Sequence, residues 1–160
     1  MSLHNQALFL LCLFLSACGF QLRGPAMLPF ATLYVDAANP VTATELAHTI
    51  GSGGATRVVK SSEQAKAIVQ ILEEAQDKRI LSLSSTGRVR EFLLVYRVRF
   101  RVHDGKTREY IAPQVIELKR DFTFNDTDIL AKEAEEALLL RDMRSDAIRQ
   151  ILARIAAVKV

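Results

Sequence analysis

The stretch from Val89 to His103 constrains the fold more than any other part of this 160-residue sequence. Apolar side chains occupy its even positions and mostly basic ones its odd positions: Leu94, Tyr96, Val98, Phe100 and Val102 against Val95, Arg97, Arg99, Arg101 and His103. A strict period of two predicts a half-buried antiparallel strand. One face of the sheet should therefore be covered by other elements, and the other should carry arginines.

Turn residues flank this strand on both sides. Ser85-Thr86-Gly87 predicts a hairpin that leads back to a strand over Ile80–Leu83, and Asp104-Gly105 predicts a second hairpin. The second hairpin leads into a strand from Arg108 to Phe124.

The register of that second hairpin follows from keeping apolar residues on one face. Pairing Phe100 with Tyr110 and Arg101 with Glu109 satisfies this condition through a loop of three residues or a bulge. Pro113 lacks an N–H group and should mark an edge or a bulge.

The remaining segments complete one domain. Strands are predicted at Thr32–Val35, Arg57–Lys60 and Ala67–Glu74. A short helix should start with a capping box of Thr42 and Glu45 and stop at Gly51. A long helix from Asp126 to about Ala157 carries an apolar stripe: Leu140, Met143, Ala147, Ile148, Ile151, Leu152 and Ile155. The prediction is an α+β two-layer sandwich, with a roughly four-stranded, mostly antiparallel sheet and two helices on one face.

The N-terminus has the pattern of a bacterial lipoprotein signal. The apolar run from Ala7 to Leu15 is too short to span a bilayer, and Leu15-Ser16-Ala17-Cys18 fits a lipobox. We expect residues 1–17 to be a signal peptide, with Cys18 lipidated and cleavage ahead of it leaving Cys18 as the acylated first residue. Residues 18–31 would then be an acylated tether, and residues 32–160 a single α+β domain. A buried N-terminal helix with an incidental cysteine is the alternative.

Charge is distributed unevenly along the chain. The formal net charge of +3 is too small to indicate a nucleic-acid-binding protein. Between Lys78 and Arg108, however, nine Lys or Arg residues stand against two acids. A local positive field of this kind favours anionic partners.

No arrangement of residues in the sequence predicts catalysis. His48 and His103 have no Cys or His cluster beside them, so no metal site and no cofactor are expected. The acid pairs Glu73-Glu74 and Glu135-Glu136 are adjacent in sequence, so their side chains should diverge into solvent and not flank one bond. We therefore expect a binding or structural protein; an enzyme is a distant alternative.

Several short motifs in order along the chain resemble the LptE family of LPS-assembly lipoproteins. They are Cys18–Gly24, Leu81–Leu83, Gly87, Glu91-Phe92, Pro113, Arg120–Asn125 and Ile129–Glu133. The resemblance implies an outer-membrane lipoprotein on the periplasmic side, which plugs the lumen of the LptD β-barrel as a 1:1 heterodimer and assists barrel assembly. It also implies binding of lipopolysaccharide on its way to the outer leaflet.

The resemblance suggests where that ligand binds. Lys132 matches a basic position of the family, while Arg88 and Arg90 follow the hairpin glycine and are candidates by proximity. Guanidinium and ammonium groups pair well with the phosphates of lipid A. For Arg97, Arg99 and Arg101, a solvated face paired with acids such as Glu109 is favoured over a lipid-binding role.

A second hypothesis stays open beside this one. The chain could be an accessory periplasmic lipoprotein of an ABC-type lipid transporter or secretion pore, without affinity for lipopolysaccharide. That class gives no reason to expect Lys132 together with the run Phe122–Asn125.

Overall fold

The computed structural model describes residues 27–159, so the predicted signal peptide and Cys18 lie outside the described residues. The described part contains five strands, two α-helices and two short 3₁₀ turns at Ser62–Gln64 and Asp126–Asp128. The strands and helices are β1 (Thr32–Asp36), α1 (Pro40–Ser52), β2 (Arg57–Val58), β3 (Ala67–Leu83), β4 (Val89–His103), β5 (Glu109–Thr123) and α2 (Ile129–Ala156).

The strands form one sheet in the order β2-β1-β3-β4-β5. Strand β1 runs parallel to β2 and β3, while β3, β4 and β5 form two antiparallel hairpins. The predicted α+β sandwich is confirmed, with five strands instead of about four. The predicted strands at Ala67–Glu74 and Ile80–Leu83 are one continuous strand, because the charged stretch between them pairs with Leu93–Tyr96 of β4.

The core lies between the sheet and the two helices. All five even-position residues of β4 from Leu94 to Val102 are buried, as predicted. Six of the seven stripe residues of α2 are buried and Leu140 packs at the margin, while Leu46 and Ile50 of α1 join the same cluster. Phe30, ahead of β1, is also buried and meets Tyr110 edge to face. The apolar face of β4 and the apolar stripe of α2 therefore lie in one core.

The predicted β4–β5 register is wrong by four residues over most of the hairpin. Phe100 lies opposite Gln114 instead of Tyr110, and Glu109 lies opposite His103 instead of Arg101. An even offset leaves the side chains of Gln114–Thr123 on their predicted faces, so burial along most of the strand could not distinguish the two registers. Irregular pairing between Phe100 and His103 absorbs the difference. Pro113 lies beside this irregularity on an edge strand, as predicted.

The predicted capping box of α1 is also wrong. The N-cap is Asn39, whose side-chain oxygen accepts a hydrogen bond from the Val41 amide at 3.0 Å. Thr42 is buried and donates its hydroxyl to Glu74, while Glu45 accepts a hydrogen bond from Ser145 of α2. These two side chains attach the helix to the sheet and to α2, and do not cap the helix.

Glu74 is the centre of a polar cluster under α1, so its predicted exposure to solvent is wrong. Its Oε1 atom accepts hydrogen bonds from Tyr96 Oη at 2.8 Å, Thr42 Oγ1 at 3.0 Å and Asn39 Nδ2 at 2.9 Å. The Nε atom of Arg144 lies 3.9 Å away, close enough for an ion pair but too far for a hydrogen bond. The cluster joins β3, β4 and both helices. Burial, followed by the hydrogen bond to Glu74, raises the pKa of Tyr96 well above its ordinary value.

Strand β3 has a free outer edge over most of its length. Strand β1 pairs only with Ala67–Gln70, and from Ile71 to Leu83 no strand among residues 27–159 covers that edge. Five charged residues lie along it, at positions 73, 74 and 77–79. Breaks in the β3–β4 register follow Ile71 and Ile80.

Within residues 27–159, no helix has the length and apolar character needed to cross a bilayer.

Candidate functional site

The β3–β4 hairpin tip and the first turns of α2 meet at one end of the sheet. We call this the hairpin end and define it as residues 78–92 and 120–136. The Phe124 amide donates to the Arg90 carbonyl oxygen at 2.8 Å, which holds the strand leading into α2 against the start of β4. The structure thereby brings Lys132, Arg88 and Arg90 to the same end of the molecule.

Lys132 lies in the first turn of α2 and is largely covered, with its side chain 20% exposed. Its Nζ atom is 2.8 Å from Glu135 Oε2 and 3.5 Å from Thr123 Oγ1. A carboxylate one turn along the helix therefore holds the ammonium group against the end of β5. An anionic ligand would have to displace or share that carboxylate.

The two arginines are more open. The Nη1 atom of Arg88 lies 3.8 Å from Asp126 Oδ2, and both side chains are more than half exposed. Arg90 is exposed and forms no ion pair within residues 27–159. Loosely held guanidinium groups at a hairpin tip can reorient towards phosphate oxygens at little energetic cost.

Lys78 is a further cation at this end, which the sequence pattern did not indicate. Its Nζ atom forms an ion pair with Glu136 of α2 and lies 4.3 Å from the centre of the Phe92 ring. Recognising that β3 is continuous could have found it, because position 78 then shares the helix-facing side with Gln76 and Ile80. Lys78 is a cation on the helix-facing side of the sheet, with its side chain 37% exposed.

Aromatic and exposed aliphatic side chains accompany these cations. Phe92 stacks on Phe122 at 5.8 Å and meets Phe124 edge to face at 5.2 Å. Five large apolar side chains at this end are at least half exposed, and Leu130 reaches 82%: Ile80, Leu81, Leu83, Ile129 and Leu130. Cations beside exposed apolar surface suit a ligand with both phosphate and hydrocarbon parts.

The arginine face of the sheet is a solvated surface of paired charges, as predicted, although its partners differ from the expected Glu109. Arg97 donates two hydrogen bonds to Glu117 Oε2, at 2.7 and 3.1 Å, and these bonds lower the pKa of Glu117. Arg99 lies 3.5 Å from Glu73, and Arg101 donates to the Gln70 side chain. Such exposed pairs contribute little to stability.

The described residues contain no cluster of three or more His, Cys, Asp or Glu side chains placed to hold a metal ion.

The fold and this end together define a class of protein: an α+β domain whose sheet ends in cations and exposed apolar side chains. Comparison with known proteins gives the family. Residues 30–155 match the LptE family, described as lipopolysaccharide-assembly. The chain therefore belongs to the LptE family. This match favours the first hypothesis over the transporter-accessory alternative.

Relatives cover most of the chain. The LPS-assembly lipoprotein LptE of Pectobacterium atrosepticum is 28% identical, over 98% of this chain and 86% of its own. A solution structure of lipoprotein B from Nitrosomonas europaea is 43% identical, has a TM-score of 0.75, and covers 87% of this chain and 91% of its own. The crystal structure of rare lipoprotein B from Shewanella oneidensis, 24% identical with a TM-score of 0.68, shares the fold over 79% of this chain and 94% of its own.

Proposed function

We propose that this protein is an outer-membrane lipoprotein subunit of the lipopolysaccharide translocon. In this role it binds lipopolysaccharide and plugs a β-barrel partner of the LptD type as a 1:1 heterodimer. The family match over residues 30–155 carries the proposal, and the composition of the hairpin end supports it. The protein acts by contact and has no catalytic step.

The chemistry of the hairpin end suits lipid A. Lys132, Arg88 and Arg90 would pair with its phosphates, and Lys78 is a neighbouring cation that could assist them. The exposed leucines and isoleucines would contact its acyl chains. Carboxylates already pair with three of these four cations. A lipid phosphate would therefore replace a carboxylate when it binds, and the carboxylate would replace the phosphate when the ligand leaves, which favours release as well as capture.

The proposed location rests on Cys18. Acylation there would hold the domain on the periplasmic side of the outer membrane. Two or three acyl chains make such attachment effectively permanent, because each buried methylene contributes about 0.8 kcal/mol. The lipoprotein names of the relatives support this part of the proposal.

Affinity purification of the native protein from detergent-extracted envelope membranes tests the partnership. We expect an outer-membrane β-barrel protein to copurify in a 1:1 ratio, and the mass of the mature chain to include acyl chains on Cys18. An unrelated lipoprotein, extracted from the same membranes in the same way, is the control. Recovery of an inner-membrane transporter instead of a barrel would contradict the proposal.

Ligand binding is tested by neutralising the three candidate cations together. We expect Lys132→Gln with Arg88→Gln and Arg90→Gln to weaken lipopolysaccharide binding at least about tenfold, because charge-assisted hydrogen bonds contribute about 1.5–3 kcal/mol each. Binding is measured by displacement of a fluorescent lipopolysaccharide. The matched control removes three charges from the arginine face, outside the hairpin end: Arg99→Gln, Arg101→Gln and Lys119→Gln. An equal loss of affinity in both triple variants would show that only net charge matters and would remove the three residues from the site.

A further inference from the structure

The end of the molecule opposite the hairpin end gathers the start of β1 and the β4–β5 turn. The Lys66 amide donates to the Thr32 carbonyl oxygen at 3.1 Å, and Arg57 lies opposite Thr32 in the sheet. Lys66 and Lys106 line the same open cleft. We call this the anchor end and define it as residues 27–32, 57–66 and 104–109, because the chain leaves it towards Cys18.

Cations at the anchor end differ from those at the hairpin end. Arg57, Lys66, Lys106 and Arg108 are exposed, and none forms an ion pair within residues 27–159. At the hairpin end, Lys78, Arg88 and Lys132 are paired with carboxylates, and Arg90 is the one candidate cation there without an ion pair in the described residues. The anchor end therefore presents exposed cations that no carboxylate holds in an ion pair.

The acids at the anchor end do not neutralise these cations directly. Glu63, Asp104 and Glu109 lie there, but no ion pair joins them to the cations in the described residues. The Asp104 carboxylate accepts backbone hydrogen bonds from Lys106 and Arg108, at 2.7 and 3.1 Å, and so is held against its own turn. The side chains of Lys106 and Arg108 are left exposed to solvent.

The short stretch of chain between Cys18 and Met27 limits how far the anchor end can lie from an acylated Cys18. Eight residues lie between Cys18 and Met27, and a fully extended chain over those nine Cα–Cα steps spans at most about 32 Å. An acylated Cys18 would therefore keep this end within reach of the bilayer surface, so that its cations can enter the layer of about 8–10 Å in which the field of anionic lipids acts.

We propose that, before the domain enters its barrel partner, the anchor end docks on anionic phospholipid headgroups of the leaflet that holds the acyl anchor. This inference rests on the acylation of Cys18 in the proposed function. Arg57, Lys66, Lys106 and Arg108 supply the electrostatic contact, and Met27, 80% exposed, lies where the chain enters the fold. Docking orients the domain with the hairpin end directed away from that surface, since β3 and β4 run the full distance between the two ends.

The test removes the anchor so that only the surface contact remains. The mature chain from residue 18, carrying Cys18→Ser, is sedimented with phosphatidylcholine vesicles that contain either 30 mol% phosphatidylglycerol or none. Each Lys or Arg near an anionic surface contributes about fivefold to binding. We expect Arg57→Gln, Lys66→Gln, Lys106→Gln and Arg108→Gln together to reduce binding to the anionic vesicles at least about tenfold.

The matched control removes four cations elsewhere: Arg79→Gln, Lys119→Gln, Arg141→Gln and Arg149→Gln. Loss of binding in the anchor-end variant alone supports the proposal, with thermal unfolding showing that both variants remain folded. Equal binding of the unsubstituted chain to the two kinds of vesicle would overturn it, and so would an equal loss in both variants. Since this assay uses no acyl chain and no lipopolysaccharide, its result is independent of the barrel and ligand experiments.

Discussion

Replacing Glu74 with Ala is expected to lower the free energy of unfolding by about 3 kcal/mol or more, because it leaves several buried polar groups without their partner. Tyr96, Thr42 and Asn39 all donate to the same carboxylate oxygen, and Arg144 would lose the nearest anion. Urea denaturation followed by circular dichroism measures the change. The loss should be large because this one side chain joins two strands and both helices.

The adjacent residue supplies the control. Glu73 lies on the open face, with its side chain about half exposed and an ion pair to Arg99, so Glu73→Ala should change stability by less than about 1 kcal/mol. Glu74→Gln keeps an acceptor for Tyr96 but removes the negative charge, and an intermediate loss is expected. If Glu73→Ala and Glu74→Ala were equally destabilising, the polar cluster would have no special role.

Tyr96 adds a pH dependence to this cluster. A tyrosine pKa raised in the folded state stabilises the fold fully below the unfolded value of about 10 and loses that contribution as the pH rises towards the folded value. Because the Glu74 charge contributes to this shift, Glu74→Gln should lower the pKa of Tyr96, as observed by absorbance titration of the phenolate.

Replacing Phe100 with Ala should lower the free energy of unfolding by about 3–5 kcal/mol, since the ring is fully buried in the middle of β4. Its strand neighbours are Ile71 and Gln114, and the Arg154 guanidinium lies 5.9 Å from the ring centre. The same denaturation measurement reports the loss. A cavity at this point removes contacts with both neighbouring strands and with α2.

Val115 is the matched control, because it lies on the open face opposite Arg99 and is 48% exposed. Val115→Ala should change stability by no more than about 0.5 kcal/mol. A large loss at Val115 would show that the arginine face is covered in the folded protein, and a small loss at Phe100 would contradict the two-layer packing.

The fold was predictable where side-chain periodicity carried the information. Alternation in β4 and the stripe of α2 identified both surfaces of the core, because burial selects residues by face. The β4–β5 register was not predictable, because a shift by an even number of residues keeps most side chains on the same face of the sheet. The irregular pairing beside Pro113 sets this register. The sequence did not indicate that β3 is one strand, because the charged residues in its middle have weak strand propensity. Pairing with β4 nevertheless holds these residues in the strand.

The candidate site was predictable in part. Lys132 came from the family resemblance, and the hairpin turn placed Arg88 and Arg90 beside it in space. Glu74 could not be predicted, because a charged residue in a strand usually faces solvent and only tertiary packing reveals the exceptions. Lys78 could be placed only by recognising β3 as one continuous strand. Both lie on the helix-facing side of β3, one beneath α1 and the other against α2.

The free edge of β3 bears on the protein's behaviour before it meets a partner. Unpaired strand edges invite cross-β association between copies, and dense charge, an inward-pointing lysine and bulges are the usual safeguards. Residues 73–79 supply all five charges, Lys78 points inward, and register breaks follow Ile71 and Ile80. A copy that has not yet bound a partner can therefore remain dispersed instead of polymerising with its neighbours.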